Sequence, residues 1–378
     1  MRKRLVTKIV SSVVAGSLAL SLCMGGNVVK GNGFGLLFGK CEVTIEKANK
    51  LTDVDDVVYK VDGKEIKKMQ LQGMCRGKDQ TFYMFKISDK KEVTTSALYS
   101  YKIGEKIELK NKEVALTGHA NDAAYVNKSF KSNETNKIKK FNQEFNNRIY
   151  VVTSNKGGNT PEIVSIDPDS KNMKKYSVYI DGTHRAVSQI AYYGVKEVNG
   201  EKVPQFIIRL QSYEKNNKMQ DTNNLYIGYL STGCDNNAYN GRFVAEKQFM
   251  LDKNVIDNVV DNKKYSCPLG GMYYKDGILY VAAAKKDKNQ NEFVNESFIF
   301  PYNLEYDKLT ECVNNKTEKR KVLTTSEAIT LKHEDLNQGN DKFEIEGIHV
   351  TDDRIYFTTN NIDQSNKSIK DAMYYIKR

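Results

Sequence analysis

Short apolar runs recur in pairs along this chain, each pair split by a turn and preceded by small or polar residues. The first pair is Leu71–Met74 with Thr81–Phe85, and the second is His119–Tyr125 with Arg148–Val152. The third joins Ser188–Tyr192 to Gln205–Ile208. The fourth joins Gly270–Tyr274 to Ile278–Val281 across Asp276-Gly277, and the fifth joins Glu344–Val350 to Arg354–Phe357 across Asp352-Asp353. Two β-rich runs around a turn predict an antiparallel hairpin. A third strand follows each pair, at Ala97–Tyr101, Glu162–Ile166, Asn224–Tyr229, Phe298–Tyr302 and Met373–Ile376. Outer strands are expected near Lys106–Leu109, Tyr176–Ile180 and Gln248–Leu251.

A four-stranded antiparallel unit repeated radially is the blade of a β-propeller. The fold class expected is therefore all-β, a propeller of about five blades over residues 54–378, with tandem β-sandwiches as the alternative. The repeats are spaced more widely than the roughly 40–50 residues of familiar blades. The excess falls in Asn/Lys-rich stretches, Asn127–Asn147, Glu214–Thr222 and Asn314–Lys321. These read as polar insertions, so five blades are preferred and six stay open. The fifth unit has three strands before Arg378, and an N-terminal strand can supply the fourth, either Asp56–Val61 or Glu42–Ile45. Closing the ring this way removes an exposed sheet edge.

The first residues change the picture of where the protein works. Arg2, Lys3, Arg4 and Lys8 precede an apolar or small-residue stretch from Ile9 to about Met24. That is the pattern of a secretory signal peptide, assigned to 1–26, with 27–53 as a linker segment. Retention as a membrane anchor or a lipoprotein is the alternative. No later segment is apolar and long enough to span a bilayer as a helix. Formal net charge is +11, and losing those four cations with the leader leaves about +7. A basic surface favours polyanionic surroundings such as wall polymers. No Lys/Arg block interleaved with aromatics stands out, so nucleic acid is not expected as a partner.

Candidate chemistry is sparse. The cysteines after the leader, Cys41, Cys75, Cys234, Cys267 and Cys312, contain no CxxC pair and do not spell a zinc site. One or two disulfides stay open. Histidines are few: His119, His184, His333 and His349. His349 alternates with Ile348 and Val350, which places it on the opposite strand face in a structural role. In a propeller the inner strands begin around a central channel, so polar residues there converge. Those candidates are Gln72, His119, Asn121, Asp122, Gln189, Glu344 and Glu346. Glu346, Asp122 and Asn121 offer hard oxygens suited to a divalent cation such as Ca2+. His119 beside Asp122 could serve as a general base. Tyr150, Tyr226 and Tyr280 occupy matching apolar positions and are expected in the core, whereas Tyr213 and Tyr239 lie in polar stretches where they could stack on sugar rings.

Asn121-Asp122 followed by Arg148–Val151, and Glu346-Gly347 followed by Arg354–Phe357, resemble the blade starts of gluconolactonase-like (regucalcin-type) propellers. The resemblance implies a divalent metal held by Glu346, Asn121 and Asp122 and used in lactone hydrolysis. The chain departs from that pattern: its Glu-Gly copy comes last, and no proline follows Gly347. Secreted helveticin-type propellers are similar to a comparable degree.

Two functions follow as expectations. One is an exported binding module for a cell-surface or extracellular ligand such as a wall polysaccharide. The other is a metal-dependent hydrolase or lactonase acting at the central channel.

Overall fold

The computed structural model describes residues 41–44, 47–61, 64–68, 70–87, 95–130, 135–154, 162–211, 213–215, 218–220, 224–233, 239–260, 263–290, 292–312, 320–325, 327–336, 342–362 and 370–378. The leader assigned to 1–26 lies outside them.

Each apolar pair forms the two inner strands of an antiparallel sheet. Blade one is Gln70–Arg76, Phe82–Ile87, Thr95–Tyr101 and Glu108–Ala115. Blade two is Asp122–Val126, Arg148–Val152, Ile163–Ile166 and Met173–Ile180. Blade three is Val187–Val198, Glu201–Leu210, Asn224–Thr232 and Gly241–Leu251. Blade four is Leu269–Lys275, Ile278–Asp287, Glu292–Asn303 and Glu327–Lys332. Blade five is Lys342–Val350, Arg354–Ile362 and Ala372–Lys377, completed by the N-terminal strand Asn49–Asp53. The innermost strands pack in ring order, one against the next and the fifth back against the first. Tandem sandwiches would not make that closed circuit. The chain is an all-β, five-bladed propeller.

Five separate apolar clusters fill the wedges between neighbouring blades, one per wedge. Tyr150 of blade two meets Phe206 of blade three at 4.8 Å between ring centroids. Phe82 of blade one meets Tyr356 of blade five at 5.0 Å. Burying each such side chain stabilises the fold by roughly 1.5–3 kcal/mol. Because a blade is covered on both faces, its middle strands are buried at every position, as Arg148–Val152 is. This explains why they read in sequence as continuous apolar runs rather than alternating ones. Tyr150, Tyr226 and Tyr280 are all buried.

The closing strand is neither segment suggested by the sequence. Asn49–Asp53 pairs antiparallel with Ala372–Tyr375. Val57–Val61 instead forms a hairpin with Lys64–Lys68, and Cys41–Thr44 adds in parallel to Glu327–Thr330 at the rim of blade four. Burial separates the roles only weakly: Lys50 and Asp53 are exposed, so the closing strand lacks the apolar density of the others.

Ion pairing fixes the closure where apolar packing does not. Lys86, fully buried, donates to Val54 O at 2.7 Å and pairs with Asp56 at 2.8 Å and Asp371 at 3.0 Å. The same Asp371 oxygen accepts from the Leu71 N–H at 2.7 Å. One cation thus ties the N-terminal segment, blade one and blade five together.

The insertion at 127–147 is not structure-poor throughout. It contains the helix Thr135–Glu144, which buries Phe141, and the following Phe145 accepts the Tyr150 hydroxyl at 2.9 Å. Ile138, Phe141 and Phe145 stand three and four residues apart, enough to give one apolar helix stripe. The stretch near 214–222 contains a small hairpin, Tyr213–Lys215 with Lys218–Gln220. Cys75, Cys267 and Cys312 form no disulfide among the described residues. No helix of the described residues is long and apolar enough to cross a membrane.

Candidate functional site

The hub is built by close approach of backbones. A Cβ on Gly73 would lie 2.6 Å from Asp122 Cα and 2.8 Å from Ala120 O. One on Gly271 would lie 2.7 Å from Glu346 O and 3.3 Å from Asp122 Oδ1. Only glycine permits these contacts, so blades one and four bring bare backbone to the axis.

Asp122 occupies the space they leave. It is the first residue of blade two's inner strand and is 0 % exposed. Its Oδ1 accepts from the Ala123 N–H at 2.9 Å, and its Oδ2 accepts from Ile190 N–H of blade three and Met272 N–H of blade four, both at 3.0 Å. Burial pushes its pKa well up, and the three N–H donors act against that rise. A cation at Asp122 would have to compete with all three donors. His119 is half-buried, its pKa lowered by burial, and its ring makes no hydrogen bond to Asp122. The general-base pairing expected from their sequence proximity is therefore not formed. Asn121, just before the strand, is half-buried.

The other candidates gather on the face where the inner strands start. Glu344 and Glu346 share a hydrogen bond on blade five, brought to one side by a bulge between Ile345 and Gly347. Glu346 accepts from Gln72 Nε2 of blade one at 3.1 Å, and Glu344 accepts from Asn360 Nδ2 at 3.2 Å. Burial raises both carboxyls. Glu344 is pushed up to about 7, and Glu346 is raised as well, with Glu344 and Asp371 adding negative charge beside it. On blade three, Gln189 Oε1 accepts from Ser188 Oγ at 3.0 Å and from Arg209 at 2.6 Å, while its Nε2 donates to Leu269 O of blade four at 3.0 Å. Burial pulls the Arg209 guanidinium down to about 10.

Two residues that sequence reasoning missed complete this face. Arg209 and Asn360 stand near the ends of the second strands of blades three and five, beside the starts of the first. Arg209 Nε and Asn360 Oδ1 are buried without a hydrogen-bond partner among the described residues. The readable signal was a polar residue ending an otherwise apolar second strand, as in Ile207-Ile208-Arg209. A further pair lies outward, between blades two and three: buried Glu162 meets His184 Nδ1 at 2.6 Å and accepts from the Val178 N–H at 3.1 Å. Tyr239, expected in an open loop, is buried with its ring 6.0 Å from that of His184. The Tyr213 side chain lies outside the described residues.

Among the described residues no group of three or more His, Cys, Asp or Glu side chains is arranged to hold a metal ion. The hub thus has a closed middle and a polar strand-start face, rich in planar hydrogen-bonding groups.

No protein-family model matches the chain. No curated protein matches it either. Among solved structures it is similar to a provisionally assigned glycoside hydrolase from Bacteroides ovatus, at TM-score 0.40 and 9% identity over 86% of this chain and 92% of that one. A second provisionally assigned glycoside hydrolase, from Parabacteroides distasonis, gives TM-score 0.41 and 8% identity over 88% and 97%. An exo-1,5-alpha-L-arabinanase from a bovine ruminal metagenomic library gives TM-score 0.30 and 15% identity over 68% and 96%. Likenesses this distant add nothing to the strand pairing, on which the propeller assignment rests.

Proposed function

We propose that this protein is an exported binding module whose strand-start face takes a polyhydroxylated ligand, a cell-surface or extracellular polysaccharide such as a wall polymer. The observation that carries the reading is two buried groups on that face that have no partner among the described residues, the acceptor Asn360 Oδ1 and the donor Arg209 Nε. Buried polar atoms are normally hydrogen-bonded, and a bound hydroxyl or water satisfies such an orphan. Beside them Gln72, Gln189 and Glu344, held in place by their bonds to Glu346, Leu269 and Asn360, add carboxamide and carboxyl groups of the kind that bind vicinal hydroxyls. The basic leader supports export, and the basic net charge supports attraction to an anionic envelope. The test is co-sedimentation of the chain without its leader with purified insoluble wall polysaccharide at low and high salt. Retention at low salt supports the reading, and none at low salt removes the wall polymer as ligand.

The alternative is a metal-dependent hydrolase or lactonase at the same face, favoured by the Glu344–Glu346 pair, since a carboxyl titrating at about 7 is suited to proton transfer. In it, a divalent cation such as Ca2+ would draw on Asn121, Glu346 and Asp122, polarising a substrate carbonyl. Release of reducing ends or opening of a lactone, lost in Glu344→Gln, would select this reading over binding alone.

A further inference from the structure

At the opposite face, where the inner strands end, the hub carries a different set of groups. Arg76 closes blade one's inner strand, and Tyr273 and His349 stand near the ends of those of blades four and five. The Arg76 guanidinium lies over two rings, 5.4 Å from the centroid of Phe82 and 5.6 Å from that of Tyr356. His349 is only 9 % exposed, edge-on to Tyr273 at 4.5 Å and to Phe82 at 6.0 Å. Its ring nitrogens and the Tyr273 hydroxyl have no hydrogen-bond partner among the described residues, and Arg76 has no carboxylate partner among them. Nearby Lys275 is already matched, by Asp276 at 2.7 Å and Asp352 at 2.8 Å. Arg76 is the cation of this mouth that has no carboxylate partner among the described residues.

We propose that this strand-end mouth is a second ligand site, built to take an oxyanion, either a sugar carboxylate or a phosphate. Held over Phe82 and Tyr356 and without a carboxylate partner among the described residues, Arg76 keeps a fork of N–H donors that matches two oxygens of a carboxylate or phosphate. The Tyr273 hydroxyl and an imidazole N–H supply further donors, and the rings exclude water from the pair they would help form. His349 holds one N–H through the ordinary pH range, because burial and then the charges of Arg76 and Lys275 push its pKa down to about 3. It is a neutral donor rather than a switch.

This site is on the far side of the closed hub, so it stands or falls independently of the polysaccharide reading. The test is isothermal titration of the chain without its leader, at ionic strength held constant with chloride, against inorganic phosphate, galacturonate and galactose. Saturable binding of phosphate or galacturonate, but not of galactose, is expected; which anion binds identifies the source of the oxyanion. Arg76→Gln should weaken it at least about tenfold, a loss of about 1.4 kcal/mol. Arg76→Lys, which keeps the charge and loses the fork, should also weaken it, and it covers the case in which Arg76→Gln does not fold. Saturation by neither anion, binding of galactose as tight as of galacturonate, or unchanged affinity in the folded Arg76 variants would each overturn the proposal.

Discussion

Asp122 Oδ2 accepts the Met272 N–H at 3.0 Å across 150 residues of sequence, from blade two to blade four. The same oxygen holds Ile190 of blade three, so one carboxylate fixes three of the five inner strands at the axis. Neighbouring blades meet through their wedges and their inner strands, and this bond adds a link between blades two and four, which are not neighbours.

Asp122→Ala leaves three buried N–H groups without an acceptor. Each orphan costs about 1–3 kcal/mol, so the variant should lose roughly 3–9 kcal/mol in urea unfolding, and Asp122→Asn, which keeps one acceptor oxygen, should lose less. Native-like stability of Asp122→Ala would show that the hub does not depend on this carboxylate.

Ring closure makes a second case. Lys86 and Asp371 are both buried and 3.0 Å apart. Removing one partner of such a pair leaves a buried charge, at a cost of about 3–5 kcal/mol, whereas removing both is far less costly. Lys86→Met should therefore destabilise more than Lys86→Met combined with Asp371→Asn. A double-mutant cycle on chemical unfolding checks this, and additive losses would mean that the pair does not hold the ring shut.

Stability should fall as pH rises from about 4 to above 7. Glu344 and Asp371 are raised to about 7, in both cases chiefly by burial. A carboxyl with a raised native pKa binds its proton more tightly when folded, so its contribution is complete below the unfolded value and is lost as pH passes through the folded one. Glu344, half-buried, should account for about 1–3 kcal/mol of this change. The slope should flatten in Glu344→Gln, as read by urea midpoints at pH 5 and pH 8. An opposite slope would contradict the burial of these groups.

Cation binding is separable from sugar binding. If the hydrolase alternative holds, thermal unfolding after chelation and then with Ca2+, Mg2+ or Mn2+ should show a rise in Tm, since an ion bound only by the folded state stabilises it by mass action. The binding-module reading predicts no change beyond that given by matched salt.

The repeat made the blades legible, because strands buried on both faces must be apolar whatever their order in the ring. Fourth strands were less so. The expected Lys106–Leu109 caught only the start of Glu108–Ala115, which is mostly exposed, and Glu327–Lys332, after a long insertion, was not expected. The closing strand was misplaced for the same reason, since Asn49–Asp53 is held by main-chain pairing and by a lysine distant in sequence. At the hub, strand starts identified Gln72, Asp122, Gln189, Glu344 and Glu346, which the structure places there. Their roles were not legible, because whether Asp122 offers its oxygens outward depends on the Ile190 and Met272 N–H groups, far away in the chain. Arg209 and Asn360 were missed because a second strand reaches the hub only through its neighbour.

Isothermal titration of residues 27–378 against a soluble fragment of wall polysaccharide, beside the variant Glu344→Gln/Asn360→Ala, tests the proposed binding face most directly. Saturable binding by the wild type, weakened at least about tenfold in the variant, is the predicted result. Equal affinity of the two proteins, or no binding by the wild type at low salt, would contradict it.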